Sequence, residues 1–579
     1  MRLPAMLLLL FGAVICLIRP WGDYPLNDDW VYSWVAKHLA ETGHFSPASV
    51  GIDIGASLVG QSLIGAAFVK AVGFSHTALR VLTLLLSGAG LVCVERILKI
   101  ANVSAALRAT AVCLLIFNPF FLHLSTTFMT EIYGYVPGLM AVVMWFRDRE
   151  RRPPPAAPVS WFTCLTTAAL VGGTFWIRQF CVVLFPALVG SVVLPMLMRR
   201  DREAFRRTWP RLAVACVVFL MIIVLYFCWA MRTGNFNHGF SAPMGGFRTF
   251  SPREWYVQSF AFWTYMALFL CPLFLLFPWR SAMTKRVVGL MALAVALGCV
   301  ALFLIHRTTD YGDGVRFFLH RRFPFLTNVI FDTGVGPVTL TEVYMQDSLL
   351  RPRWPGAVWW IVEGCLFLVT PLWIGIAAGA RVLREVRDKV SFEIFLFGVL
   401  LGLGLMALVI QVFKGTAFDR YYIGSVIGLL IAVCVVLSEW HRRIASPRGL
   451  RRRQWLSLAA IVPMAFFSVA GVHDYFRWND ARWQLYRQAV DAGVERTDID
   501  GGYEVNGWAT QEHAEQTAIS DHGRTNTGWY REPRPYRIAM GPVRGYDSVR
   551  EITPGAWLAR LPAVLLLKRS DVAARHFGE

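Results

Sequence analysis

Polar surface is what this chain has little of. Only 16% of its 579 residues are charged, against 56% hydrophobic and 14% aromatic, with a mean hydropathy of +0.48. That is too little polar area to wrap a set of soluble cores, so the bulk is solvated by lipid. None of the eleven cysteines has CxxC spacing or a paired histidine, and all lie in apolar stretches. This excludes a disulfide framework and a zinc site and leaves them as small hydrophobes in packed helices. A His-rich cluster is missing too, which argues against catalytic zinc. No small-x-small cleavage site precedes the Pro20-Trp21-Gly22 turn, so residues 3–18 read as a retained first span and not a cleaved signal peptide.

Acids are scarce relative to bases: 38 Asp and Glu against 57 Lys and Arg, a net charge of +19. The bases fall in short clusters between apolar runs, the pattern of cytoplasmic loops and not of a nucleic-acid surface. Runs long enough to cross about 30 Å of hydrocarbon lie at 4–19, 78–98, 107–123, 129–146, 159–176, 179–198, 211–231, 257–279, 287–305, 357–378, 392–412, 421–439 and 455–471. The fold class expected is a polytopic α-helical membrane protein with about 13 transmembrane helices. Basic loops at 147–152, 199–211, 280–286, 381–389 and 442–453 fall on one side. The positive-inside rule makes that side, and the N-terminus, cytoplasmic, and an odd number of spans puts the C-terminus outside.

The opposite face receives the long segments: 20–77, 232–256, 306–356 and everything beyond 471. Residues 1–471 therefore read as a membrane module and 472–579 as a small extracytoplasmic domain, α/β or β-rich. Val564-Leu565-Leu566-Leu567 is apolar but too short to span, and reads as a strand. In the first outer loop Trp30, Trp34, Ala36, Leu39 and Ala40 recur at helical spacing, so an amphipathic helix lying in the interface is expected from about Asp28 onward.

Four charged constellations collect on the outer face. Asp28 and Asp29 follow the first span, where water meets head groups. Glu131 stands at the margin of the fourth span, a costly place for an acid without water or a partner. Arg178 and Gln179 occupy a break between two spans; the arginine either snorkels or pairs bidentately with a phosphate. Lys414 precedes Phe418-Asp419-Arg420-Tyr421-Tyr422 on the outer lip of a late span, a place suited to phosphate binding with Asp419 holding Arg420.

The order Asp28-Asp29-x-x-Tyr32-x-x-x-Ala36-x-x-Leu39-x-x-x-Gly43 resembles the first periplasmic loop of lipid-linked sugar transferases of the GT-C superfold, in the protein O-mannosyltransferase and aminoarabinose-transferase group. Gly73-Phe74-Ser75-His76-Thr77-Ala78-Leu79-Arg80, Asn118-Pro119-Phe120-Phe121 leading to Thr130-Glu131, and Phe418-Asp419-Arg420-Tyr421 are similar to later motifs of that group. Family members usually carry Asp-Glu where this chain has Asp28-Asp29, and commonly Asp in place of Glu131.

The resemblance implies an inverting glycosyltransferase of the bacterial inner membrane. It would move a sugar from a polyprenyl-phosphate donor to a hydroxyl or amine acceptor at the outer face of the bilayer. Asp28 would act as base, with Asp29 and Glu131 as the other catalytic acids, orienting the acceptor or holding a divalent cation, Mg or Mn. Arg178, Lys414 and Arg420 would bind phosphate, supported by Tyr32, Gln179, Asp419 and Tyr421. A lipid-sugar flippase or transporter is the alternative. It would call for inverted repeats and ionisable residues deep in spans, whereas no repeat is visible and the charges gather at span ends.

Overall fold

The computed structural model describes residues 3–46, 56–153, 157–234, 251–277, 285–308, 324–326, 328–331, 334–344, 389–413, 417–444, 447–517, 534–558 and 561–571. Among the described residues, seven helices are long and apolar enough to cross a membrane, and eight if one bent pair forms a single span. Every apolar run read from the sequence falls on a helix except 357–378, which lies outside the described residues. The runs beyond these eight lie on shorter or more charged helices, on Lys285–Thr308, and at 357–378 outside the described residues. Helices α1 (Leu3–Ile18) and α8 (Trp161–Thr174) are short, and α7 (Thr130–Arg151) ends in charged residues. The bent pair is α5 (Ala105–Ile116) and α6 (Pro119–Ser125), which meet at 64°. Asn118 accepts from the amides of Phe120 and Phe121 while Pro119 sets the first turn, so a new helix begins where the old one stops.

The other helices in the first half of the chain are α2 (Asp29–Thr42), α3 (Val59–Val72), α4 (His76–Ile100), α9 (Leu184–Arg199), α10 (Arg202–Arg232), α11 (Pro252–Phe274) and α12 (Lys285–Thr308). A short antiparallel pair, β1 (Ile330–Phe331) and β2 (Gly334–Val335), leads to the one-turn α13 (Thr341–Tyr344). Then come α14 (Val390–Phe413), α15 (Ile423–Ile444) and α16 (Pro447–Asp491).

Helix α15 is the centre of the bundle, buried on all sides and touching α4, α5, α11 and α14. It packs along α14 through small residues, the device by which membrane helices gain van der Waals contact where lipid provides no hydrophobic drive. A Cβ on Gly428 would lie 2.7 Å from the Gly398 carbonyl oxygen, and one on Gly398 would lie 2.4 Å from that of Gly428. On the far side of the bundle from the acids, Arg149 at the end of α7 forms a buried two-bond pair with Glu393 at the start of α14, at 2.9 and 2.7 Å.

Beyond the bundle, α16 runs unbroken from the membrane into the C-terminal region. The tail adds β3 (Ile499–Asp500), α17 (Tyr503–Thr517), β4 (Tyr536–Ala539), β5 (Tyr546–Ile552) and β6 (Val564–Arg569). The sheet order is β3-β4-β6-β5, with β3 and β4 parallel and the rest antiparallel. The apolar run 564–567 is indeed a strand, pairing Leu566 with Ile538.

Helix α2 differs from the interfacial helix expected. Trp30, Trp34, Val35 and Ala36 are buried; Ala36 packs against Gly65 of α3, and the tail covers the two tryptophans. Trp508 of α17 meets Trp34 edge-on with ring centres 5.0 Å apart, and Tyr503 meets Trp30 at 5.8 Å. The helix stops at Gly43, whose φ of +76° lets its amide return to the Leu39 carbonyl.

Candidate active site

The loop from α1 to α2 is held from outside itself. Arg80, fully buried on α4, donates to the carbonyls of Pro20 (2.8 Å), Gly22 (2.7 Å) and Tyr24 (3.0 Å), and also to Thr126 (2.9 Å) before α7. One guanidinium thus ties the acidic loop to the segment that carries Glu131. Asp23 accepts from Ser75 and the His76 amide, fastening the loop to the start of α4. The Tyr24 hydroxyl donates to Asp480 and to the Phe476 carbonyl on α16.

The two adjacent acids then point into different surroundings. Asp28 remains a quarter exposed and faces Arg420, whose Nη2 lies 2.7 Å from its Oδ2. Asp29 is buried, accepting from the amides of Leu26 and Phe128. Burial pushes the Asp29 carboxyl up to about 8, outweighing the opposing pull of Arg80 and of those two amides. One acid of the pair is therefore in the cluster and the other braces the loop behind it.

Glu131, in the first turn of α7, sits between the two arginines: Oε1 is 3.4 Å from Arg420 Nε and 3.5 Å from Arg178 Nη2. All three side chains are at most 6% exposed. Residues 28, 131, 178 and 420 so form one chain of alternating charge. The ring of Tyr421 lies against both guanidiniums, 4.7 Å from Arg178 and 5.6 Å from Arg420, with Phe180 and Phe418 on the other faces. Such rings hold a guanidinium in place without using its N–H groups. Among the described residues, Arg420 Nη1 and Arg178 Nε are buried with no hydrogen-bond partner.

The supporting residues divide. Asp419 accepts from the amides of Val329 (3.0 Å), Ile330 (2.8 Å) and Arg420 (2.7 Å), so it fixes the backbone beneath Arg420 and does not grip its side chain. Tyr32 is buried one turn along α2, and burial, reinforced by the charge of Asp28, keeps its hydroxyl neutral. Gln179 is half-buried at the start of the 3₁₀ turn Gln179–Val183 that Arg178 precedes. Lys414 lies outside the described residues.

The tail contributes residues that the sequence did not flag. The Tyr503 hydroxyl lies 3.3 Å from Asp28 Oδ1. Glu504, fully buried, accepts from the Asn27 amide at 2.7 Å, from Arg482 at 2.9 Å and from the Thr339 hydroxyl. Asn27 has a φ of +53°, a left-handed conformation that needs such an anchor, and it turns the chain so that Asp28 and Asp29 diverge. The signal available was the Gly501-Gly502 pair. Gly502 has φ +86°, and a Cβ there would meet the Thr339 carbonyl at 2.5 Å, a close approach that only glycine allows.

Two solved structures of ArnT from Cupriavidus metallidurans are similar to this chain, one bound to undecaprenyl phosphate and one in the apo state. The first has a TM-score of 0.47 at 12% identity, covering 98% of this chain and 99% of that one. The second has a TM-score of 0.34 at 13% identity, covering 98% of each. No protein family profile and no curated protein matches the chain.

A divalent cation does not fit the three carboxylates. Among the described residues no group of three or more His, Cys, Asp or Glu is arranged to hold a metal. Asp29 is turned to backbone amides, and Arg420 stands between Asp28 and Glu131.

Proposed function

We propose that the chain is a GT-C-type glycosyltransferase. It moves a sugar from a polyprenyl-phosphate carrier to a hydroxyl or amine acceptor at the extracytoplasmic face of a bacterial inner membrane, with its N-terminus in the cytoplasm and its C-terminus outside. The single observation that supports this reading is the chain of contacts Asp28–Arg420–Glu131–Arg178, assembled from residues nearly four hundred positions apart.

In the proposed reaction the acceptor atom attacks the anomeric carbon as Asp28 takes its proton. Asp28 is the acid of the cluster with a solvent-facing edge, as a base that meets substrate must be. The bond from the anomeric carbon to the phosphate oxygen breaks, and the electron pair leaves with the lipid phosphate. That group departs as an anion, so it needs positive charge more than a proton. Arg420 Nη1 and Arg178 Nε are the donors left over for it, and Lys414 is proposed as a third. Attack from the face opposite the leaving group inverts the sugar. Glu131 balances the two arginines before the donor arrives and shares Arg420 with Asp28.

The test is turnover of an isotope-labelled polyprenyl-phosphate sugar in membranes containing the wild type or Asp28→Asn. Loss of a positioned base lowers the rate on the order of 10²- to 10⁴-fold, while the variant still inserts and folds, with a midpoint lowered by the loss of one partner of Arg420. Transfer at wild-type rate by Asp28→Asn overturns the assignment.

A further inference from the structure

We infer that one anionic diacyl phospholipid binds astride α1, with its phosphate against Arg19 and Arg477 and one acyl chain on either side of the helix. Three adjoining cavities carry the inference. A pocket of about 450 Å³ lies at the end of α1, between Arg19, the His473 and Arg477 turn of α16, and Trp557. A second cavity of about 460 Å³ descends between α1 and α4 and shares Cys16 with the first. A third of about 400 Å³ descends between α5 and α16 and shares Trp557 with it. The two descending grooves are lined by apolar residues, whereas the pocket above them carries the cations. One polar mouth over two apolar grooves has the shape of a two-chain amphiphile.

The mouth is built and not merely open. Arg477 Nη2 donates to the Arg19 carbonyl at 3.1 Å, which places the two arginines side by side. Arg477 also pairs with Asp480 at 2.9 Å, but Asp480 is already engaged by Tyr24, and Arg477 Nε is buried without a hydrogen-bond partner among the described residues. Arg19 is exposed and pairs with no carboxylate among the described residues, so the mouth keeps a positive charge. The His473 ring stacks on Trp557 at 3.7 Å and 7°. Asp474 holds that ledge by accepting from the amides of Trp557 and Leu558 at 2.7 and 2.8 Å. A tryptophan and an arginine at one level are what anchors a protein to the head-group layer. The 16 residues of α1 reach only about 24 Å, less than the roughly 30 Å of hydrocarbon, which draws that layer down onto Arg19. This site uses none of the residues proposed for sugar transfer and does not depend on that reading.

The experiment exposes the purified full-length protein to phosphatidylglycerol and phosphatidylcholine of identical acyl chains and counts retained lipid by native mass spectrometry. Phosphatidylglycerol is retained in preference, on the order of fivefold for each arginine near its phosphate. Arg19→Gln removes most of that preference. Ala89→Trp, in the α1–α4 groove, and Ala465→Trp, in the α5–α16 groove, each weaken the two-chain lipid, while a single-chain lysophosphatidylglycerol is weakened by one of them only. Equal retention of the two lipids by the wild type overturns the proposal without recourse to any variant. Indifference to Arg19→Gln, or displacement of phosphatidylglycerol by an equimolar single-chain polyprenyl phosphate, overturns it as well.

Discussion

The divided fate of Asp28 and Asp29 leads to a prediction that needs no substrate. The Asp29 carboxyl is raised by burial to about 8 in the folded protein, whereas an unfolded chain ionises it near an ordinary aspartate value of about 3.9. Between those two values the folded state holds a proton that the unfolded state has released. The stability present below about pH 4 is therefore lost progressively as pH rises toward 8. At 1.36 kcal/mol per unit, the contribution lost between pH 4 and pH 7 is about 4 kcal/mol. In Asp29→Asn the carboxamide cannot ionise, keeps an acceptor oxygen for the Leu26 amide and gives up one acceptor, at a cost of about 1 kcal/mol. The thermal midpoints of wild type and Asp29→Asn, followed in detergent from pH 4 to 8.5, should cross. The wild type is the more stable at the acid end and the variant at the alkaline end. Glu342, raised by burial to about 7, titrates equally in both proteins and cancels in the difference. Parallel curves, or a wild type that gains on the variant with rising pH, would refute the argument.

Other substitutions test other links. Glu131→Gln leaves Arg178 and Arg420 buried with less opposing charge, and should destabilise by about 3–5 kcal/mol, seen as a lower midpoint even without substrate. Tyr503→Phe removes the hydroxyl 3.3 Å from Asp28 Oδ1 and with it a hydrogen bond worth about 0.5–1.5 kcal/mol. The rate of transfer should then fall about 2- to 13-fold, and an unchanged rate rejects the contact as functional. Gly428→Ala puts a methyl against the Gly398 carbonyl and should cost about 1–3 kcal/mol through overpacking, measured by melting; a neutral result would show that α14 and α15 have slack.

Sequence reasoning reached Glu131, Arg178 and Arg420 because a charge at the end of an apolar run is conspicuous: its cost has to be met by some partner. The same logic could not separate Asp28 from Asp29, since their difference arises from the left-handed turn at Asn27 and from Arg80, neither of which hydropathy registers. Tyr503, Glu504 and Arg482 were silent for the opposite reason. In a polar tail another acid or arginine raises no question, and only the fold reveals that Glu504 and Arg482 are buried and that Tyr503 reaches Asp28. Spans are least legible where helices are short, kinked or capped by charges, because a window of hydropathy measures composition and not the axis along which the chain runs.

The 45 residues of α16 amount to about 68 Å of uninterrupted rod, more than twice the thickness of the oily layer it crosses. Its far half carries Tyr475, Asp480 and Arg482 to the acidic loop, so the tail is mounted on a girder rooted in the bilayer. Grafting a tail from another protein at residue 472 would cut that girder in mid-length. A working chimera has to exchange the whole helix together with everything that follows it.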